Sequence, residues 1–387
     1  MKCLLHIGTE KTGTTVLQEW LYSNQEKLSS NGVYLSNNLG QPNNRLVPAF
    51  FQGRLDDWTK AKRISSIEEK DLYFSNFIAD FSTEVARAKR EHQLFVITSE
   101  HLHSRVRTKS EIEALYKFLK SNFDEVEIVC YFRNQFDVVV SLYSTALKAD
   151  SSVSLNTFVK QAKPKNYYYN YAQVADLWSS VFGRESCDFR LYKRDLFIER
   201  DIRKDLLSLI DPNLSFDEFD YGISSSNESM SLLKGAVYRA VNDRIPFWLE
   251  NNEGRNLFNM LAKEKLSCLP ELDIGRIKST TRGEVLDGFE ETNSYFFKTY
   301  FGCENLFHAD MADELSVDSV PIEQVELIVE VVTKTMLDLV VRKNNTRLDN
   351  LIDGFKIFRL LLRRPNMSFT KKRIKAWGES FWYFLKR

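Results

Sequence analysis

The chain has 387 residues, 43% hydrophobic and 27% charged, with 53 basic and 53 acidic side chains that cancel to a formal net charge of zero. That balance belongs to a soluble globular protein with a sizeable core and excludes a disordered or collagen-like chain. Fifteen glycines and eight prolines are few for this length and favour long helices over many short strands.

Lys2 to Ile7 reads as a short buried strand. It runs into Gly8-Thr9-Glu10-Lys11-Thr12-Gly13-Thr14-Thr15, after which Val16, Leu17, Trp20 and Leu21 recur at helical spacing, so the loop opens a helix. A charged helical stretch over about 67–90 precedes a second strand, Leu94–Thr98. A helix through Ile112–Leu119 precedes a third, Val126–Tyr131. Val138 to Leu147 is again helical in phase. A helix carrying Val174, Leu177, Trp178 and Val181 leads to a fourth strand, Cys187–Tyr192. Strands alternating with helices of this length predict a doubly wound α/β domain, a parallel sheet covered on both faces. From Ser225 the pattern turns mostly helical and stays so to about residue 320, the expected acceptor side. One main domain is expected over 1–345 and a basic helical tail over 346–387.

The five cysteines (Cys3, Cys130, Cys187, Cys268, Cys303) are scattered and none sits at CxxC spacing, so neither a disulfide framework nor a zinc site is expected. Cys3, Cys130 and Cys187 fall in or beside apolar runs and read as small buried thiols. No run approaches the ~18 apolar residues that span a membrane, and Met1 to His6 lacks the apolar stretch of a secretory signal. The expected location is the cytosol.

A strand, a glycine turn rich in hydroxyls and then a helix make a phosphate cradle, because the helix start offers unpaired N–H groups and the positive end of the dipole. Gly8 and Gly13 have the glycine spacing of a Walker A loop. The lysine, however, sits inside the loop at Lys11, and Thr14 stands where a nucleotide triphosphatase needs its lysine. An ATP-dependent kinase is thereby disfavoured, though it stays the alternative, beside a non-catalytic nucleotide-binding protein.

Lys11-Thr12-Gly13-Thr14-Thr15, preceded by His6-Ile7-Gly8, resembles the 5′-phosphosulfate loop of sulfotransferases that use 3′-phosphoadenosine-5′-phosphosulfate (PAPS). Val129-Cys130-Tyr131-Phe132-Arg133, with Ser141 eight residues on, is similar to the same family's 3′-phosphate signature. Softer similarities lie at Tyr171–Gly183 and Tyr192–Leu196. The resemblance covers roughly residues 1–200 and implies a P-loop-like sulfotransferase of bacterial or carbohydrate type. It implies that Lys11, Thr12, Gly13, Thr14, Thr15, Arg133 and Ser141 hold the nucleotide, with Lys11 also following the leaving oxygen. It implies PAPS as co-substrate, adenosine 3′,5′-bisphosphate as product, no metal, and a carbohydrate, lipid or small-molecule acceptor.

The acceptor needs a base. Leu94–Thr98 ends in Ser99-Glu100-His101-Leu102-His103, and ligands bind beyond the carboxyl ends of strands in open α/β sheets. Glu100 is the first choice for the base, with His101 and His103 as alternatives. The competing role for Glu100 is to cap the following helix or to pair with Arg105 or Arg107. His6 reads as a structural residue at a strand end, and Tyr167–Tyr171 as packing rather than a sugar platform.

Phe355 to Arg387 carries ten basic residues against Glu379 alone, a charge of +9 balanced by an acidic body. Aromatic and aliphatic residues interleave with these cations. That pattern suits an anionic membrane surface or the protein's own acidic surface, and no feature supports nucleic acid.

Overall fold

A computed structural model describes residues 1–222, 232–248, 256–267 and 279–307. The basic tail, the Ser224–Ser229 loop and Cys268 lie outside the described residues. The described residues fall into two compact units. One holds residues 1–144, 154–222 and 279–307, and the other holds 145–153, 232–248 and 256–267.

The first unit is built on a five-stranded sheet, all parallel: β1 (Lys2–Gly8), β2 (Val33–Leu35), β3 (Leu94–Thr98), β4 (Glu125–Phe132) and β5 (Cys187–Leu191), in the spatial order β2-β3-β1-β4-β5. The doubly wound α/β class is what the alternation of apolar runs and helices predicts. Successive strand residues point to opposite faces, and the two cores sort accordingly. Cys3, Leu5 and Ile7 of β1 join Phe95, Ile97, Ile128 and Phe132 on one face, while Leu4 joins Val96, Val129 and Tyr131 on the other.

Helices join these strands and cover both faces. α1 (Thr14–Ser23) buries Leu17, Trp20 and Leu21 on the Leu4 face. α2 (His101–Arg105) follows β3 directly. α3 (Lys109–Asn122) starts on a reciprocal capping box between Thr108 and Glu111 and packs Ile112, Leu115 and Leu119 against the Cys3 face. α4 (Gln135–Ala149) follows β4. α5 (Tyr171–Phe182), capped by the Asn170 side chain, covers the same face as α3 with Val174, Ala175 and Trp178.

Two expectations needed adjustment. The charged stretch expected as one helix over about 67–90 is two, Ile67–Tyr73 and Phe77–Ala88, with Phe74–Asn76 between them. β2 gave no sequence signal, since three residues are too short to show a period and among the described residues it pairs with β3 alone. Past residue 231 the described segments are helical (Leu232–Arg244, Leu257–Leu266, Ser279–Asp287, Glu290–Tyr300), in line with the helical phase. Cys3, Cys130 and Cys187 are buried free thiols, and Cys303 is exposed. No helix among the described residues is long and apolar enough to cross a membrane.

Candidate functional site

The strand order sets the site. β1 lies between β3 and β4, so the chain leaving β1 at Gly8, β3 at Thr98 and β4 at Phe132 emerges at one edge, the carboxyl edge where such sheets take ligands. Backbone bonds join the three exits: Ser99 N–H donates to the His6 carbonyl (2.9 Å) and Thr9 N–H to the Tyr131 carbonyl (3.1 Å).

The loop after β1 turns through three left-handed residues: Gly8 (φ 88°), Lys11 (φ 69°) and Gly13 (φ 72°). Lysine in this region is uncommon because its Cβ crowds the backbone. The surroundings hold it there: the Arg133 guanidinium donates to the Lys11 carbonyl (3.1 Å). Thr12 is fully buried and its hydroxyl closes the loop on the Thr9 carbonyl (2.6 Å). Gly13 occupies the cap position of α1 without a side-chain cap, and the first N–H groups of a helix have no intrahelical acceptor. Thr14 is buried and Thr15 is exposed.

Arg133 is held from several sides. Its carbonyl accepts from the buried Tyr171 hydroxyl (2.6 Å), and its guanidinium lies over the Tyr192 ring (5.6 Å). The same ring stands beside Gly13, where a Cβ would come within 3.3 Å of it. Arg133 also approaches Asp137 (3.9 Å) one turn along α4. Ser141 lies half-buried farther along that helix. Asp137 accepts from Arg282 as well (3.1 Å), a cation 145 residues away that no local motif could bring to attention.

On the other side of the loop stands Glu100. It takes up neither competing role: its side chain makes no cap bond, Arg105 pairs with Asp56 and Asp57 (both 3.1 Å), and Arg107 donates to the Ser104 carbonyl (2.6 Å). Instead Glu100 Oε2 accepts from buried Gln18 of α1 (2.6 Å), and Oε1 faces His101 Nε2 (3.7 Å). The backbone of Glu100 lies directly against Gly8, where an added Cβ would fall 2.7 Å from Glu100 Cα. Burial lowers the His101 pKa, and Arg45 and Arg105 add to this against the opposing Glu100 and Glu10 carboxylates. The imidazole is therefore neutral near pH 7.

Gln18 and Glu10 are site neighbours that sequence reasoning missed. Glu10 lies 3.8 Å from His101 Nδ1. Burial pushes its carboxyl up, but Ser104, His101, Arg105 and His103 together outweigh that and hold it below the usual range. His103 is fully buried among Tyr167 and Tyr168.

His6, also fully buried, exchanges a hydrogen bond with the Thr98 hydroxyl (2.9 Å), as a structural strand-end residue should. Burial pushes the pKa of His6 and of His103 down to about 4. Below the ordinary histidine value of about 6.5, the unfolded chain binds protons that these two rings refuse when folded. The stability from keeping them neutral is thus complete above pH about 6.5 and drains away as the pH falls toward 4. The urea midpoint should drop across that window, before the carboxylates titrate. A midpoint flat between pH 6.5 and 5 would contradict the burial of both rings as neutral bases.

No family model matches the chain. A protein of Archaeoglobus fulgidus described as uncharacterized is 28% identical over 244 residues, 60% of this chain, and the match spans 62% of that relative's length. Among solved structures, a sulfotransferase from Alicyclobacillus acidocaldarius aligns over 77% of this chain and 95% of its own, at 12% identity and a TM-score of 0.38.

Proposed function

We propose that the chain is a sulfotransferase that moves a sulfuryl group from PAPS to an acceptor hydroxyl. The observation that carries this reading is the bond from the Arg133 guanidinium to the Lys11 carbonyl. It makes the phosphate loop and the arginine after β4 one structure, as a nucleotide phosphorylated at both its 5′ and 3′ positions requires.

The donor set fits such a ligand. The N–H groups at the start of α1, the Lys11 ammonium and the Arg133 fork all favour anions. In the transfer the acceptor oxygen bonds to sulfur as the bond from sulfur to the phosphate oxygen breaks. Charge grows on that phosphate oxygen, and in this reading Lys11 and the loop N–H groups offset it. In this reading Glu100 takes the acceptor proton, and the bond from Gln18 to its Oε2 supports that role. Ser141 adds a hydroxyl donor toward the 3′ side.

Calorimetric titration with adenosine 3′,5′-bisphosphate, set against ATP with magnesium, tests the reading. The bisphosphate should bind, and Arg133→Ala should weaken it by about 10- to 100-fold, the value of a lost charged hydrogen bond of ~1.5–3 kcal/mol. Binding of magnesium-ATP with no affinity for the bisphosphate would put a kinase in its place.

A further inference from the structure

The His101 ring stands between two carboxylates that come from different parts of the chain. Nδ1 faces Glu10 Oε1 at 3.8 Å and Nε2 faces Glu100 Oε1 at 3.7 Å. Nδ1 is buried and closes no hydrogen bond. Around Glu10 lie further buried polar groups: the Ser104 and Tyr168 hydroxyls, which bond its carboxylate, and the wholly buried His103 ring. The Glu10 carboxylate is thus held in place beside His101.

We propose that Glu10 is the positioning residue of a Glu10–His101–Glu100 chain, fixing the His101 tautomer so that Nε2 can receive the proton Glu100 takes from the acceptor. This rests on the sulfotransferase reading for its last step, but the arrangement of the three side chains does not. A neutral imidazole carries one N–H. Beside the ionised Glu10 that proton belongs on Nδ1, which leaves the Nε2 lone pair toward Glu100. While Glu100 is a carboxylate, neither it nor the Nε2 lone pair has a proton to share, and the two stand 3.7 Å apart. Once Glu100 holds the acceptor proton it becomes a donor, and the proton can pass to Nε2. The imidazolium so formed sits between two carboxylates, and Glu100 regains its charge. Contacts of this length shorten readily when a ligand closes a site. Glu10 touches His101 and not the reacting atoms, so its role is to position.

The charged groups facing His101 are Glu10 from the loop, Glu100 and Arg105 at the two ends of α2, and Arg45 from the segment before the short helix Leu46–Phe51. Arg45 and Arg105, both also engaged by Asp56, favour the neutral ring, and the Glu100 and Glu10 carboxylates oppose them. Removing the Glu10 charge therefore lets the His101 pKa fall further.

The test is ring nitrogen NMR on the full chain with 15N-labelled histidine, the His101 signals being assigned by their loss in His101→Gln. Wild-type His101 should be in the Nδ1–H form. Its titration should move to lower pH in the isosteric Glu10→Gln, return toward the original position in Glu10→Asp, and the tautomer preference should vanish in Glu10→Ala. The distant His92, bonded to Ser29 at 2.8 Å, should stay unchanged as the sign of an intact fold. Turnover in Glu10→Gln should fall by about 10- to 100-fold, with bisphosphate affinity preserved. A His101 tautomer and titration identical in wild type and Glu10→Ala would overturn the proposal. If the NMR changes appear while wild type neither binds the bisphosphate nor transfers sulfuryl groups, the three-residue chain stands and the sulfotransferase reading falls.

Discussion

Glu100→Gln should lower sulfuryl transfer by about 10²- to 10⁴-fold, the range for loss of a general base, while leaving bisphosphate affinity within about twofold of wild type. The substitution is isosteric, and an amide oxygen can accept the Gln18 N–H as the carboxylate does at 2.6 Å. What is lost is the ability to take a proton. In the proposed site the phosphates meet the loop, the start of α1, Arg133 and α4, and the bond from Glu100 to Gln18 of α1 survives the substitution. Equilibrium titration with the bisphosphate beside steady-state turnover separates the two quantities. Full activity in Glu100→Gln would move the base to His101. His103, though near in sequence, is closed off from solvent by Tyr167 and Tyr168. Loss of nucleotide affinity together with turnover would instead make Glu100 a support for the loop.

Strands β1, β3 and the later part of β4 were legible because they are buried on both faces and read as nearly continuous apolar runs, and β5 because Cys187, Phe189 and Leu191 alternate with Asp188 and Arg190. The helices α3 and α5 were legible from their period. The loop was legible because a left-handed turn needs glycine, and Gly8 and Gly13 mark two of its three such positions. Its third, Lys11, carries no such mark. β2 and the helices around Leu46–Phe51 and Asp57–Ala61 escaped notice, since segments of three to six residues are set by what they pack on. The site was half legible for a related reason. Lys11, Arg133 and Glu100 sit at strand exits, which the sequence locates, whereas Glu10, Gln18 and Arg282 earn their places by strand order and long-range packing. Gln18 is one of several polar residues on α1, and nothing in its neighbours says that β3 will end beside it. Only the order β3-β1-β4 brings the loop, Glu100 and Arg133 to one edge.

Gly8→Ala should be more damaging to stability than any other alanine substitution in the loop. An added Cβ would lie 2.7 Å from Glu100 Cα and 2.9 Å from Glu100 Cβ. The first of these is a backbone atom that cannot rotate away, so either β1 or the β3–α2 turn must shift. The positive φ of 88° adds strain for any residue with a side chain. Together, backbone strain and overpacking at ~1–3 kcal/mol each suggest a loss of about 2–6 kcal/mol, read as a lower urea midpoint at unchanged slope. Gly13→Ala is the control. Its φ of 72° is comparable, but its Cβ would meet the end of the Tyr192 ring at 3.3 Å, and a half-buried side chain can yield. Gly13→Ala should therefore cost less stability and more bisphosphate affinity, because it alters the start of α1, whereas Gly8→Ala should unseat Glu100 and lower turnover at nearly intact affinity. The reverse order of stabilities would mean that Glu100 is not held where it is by the bare backbone of β1, and that its neighbour Gln18 does that work instead.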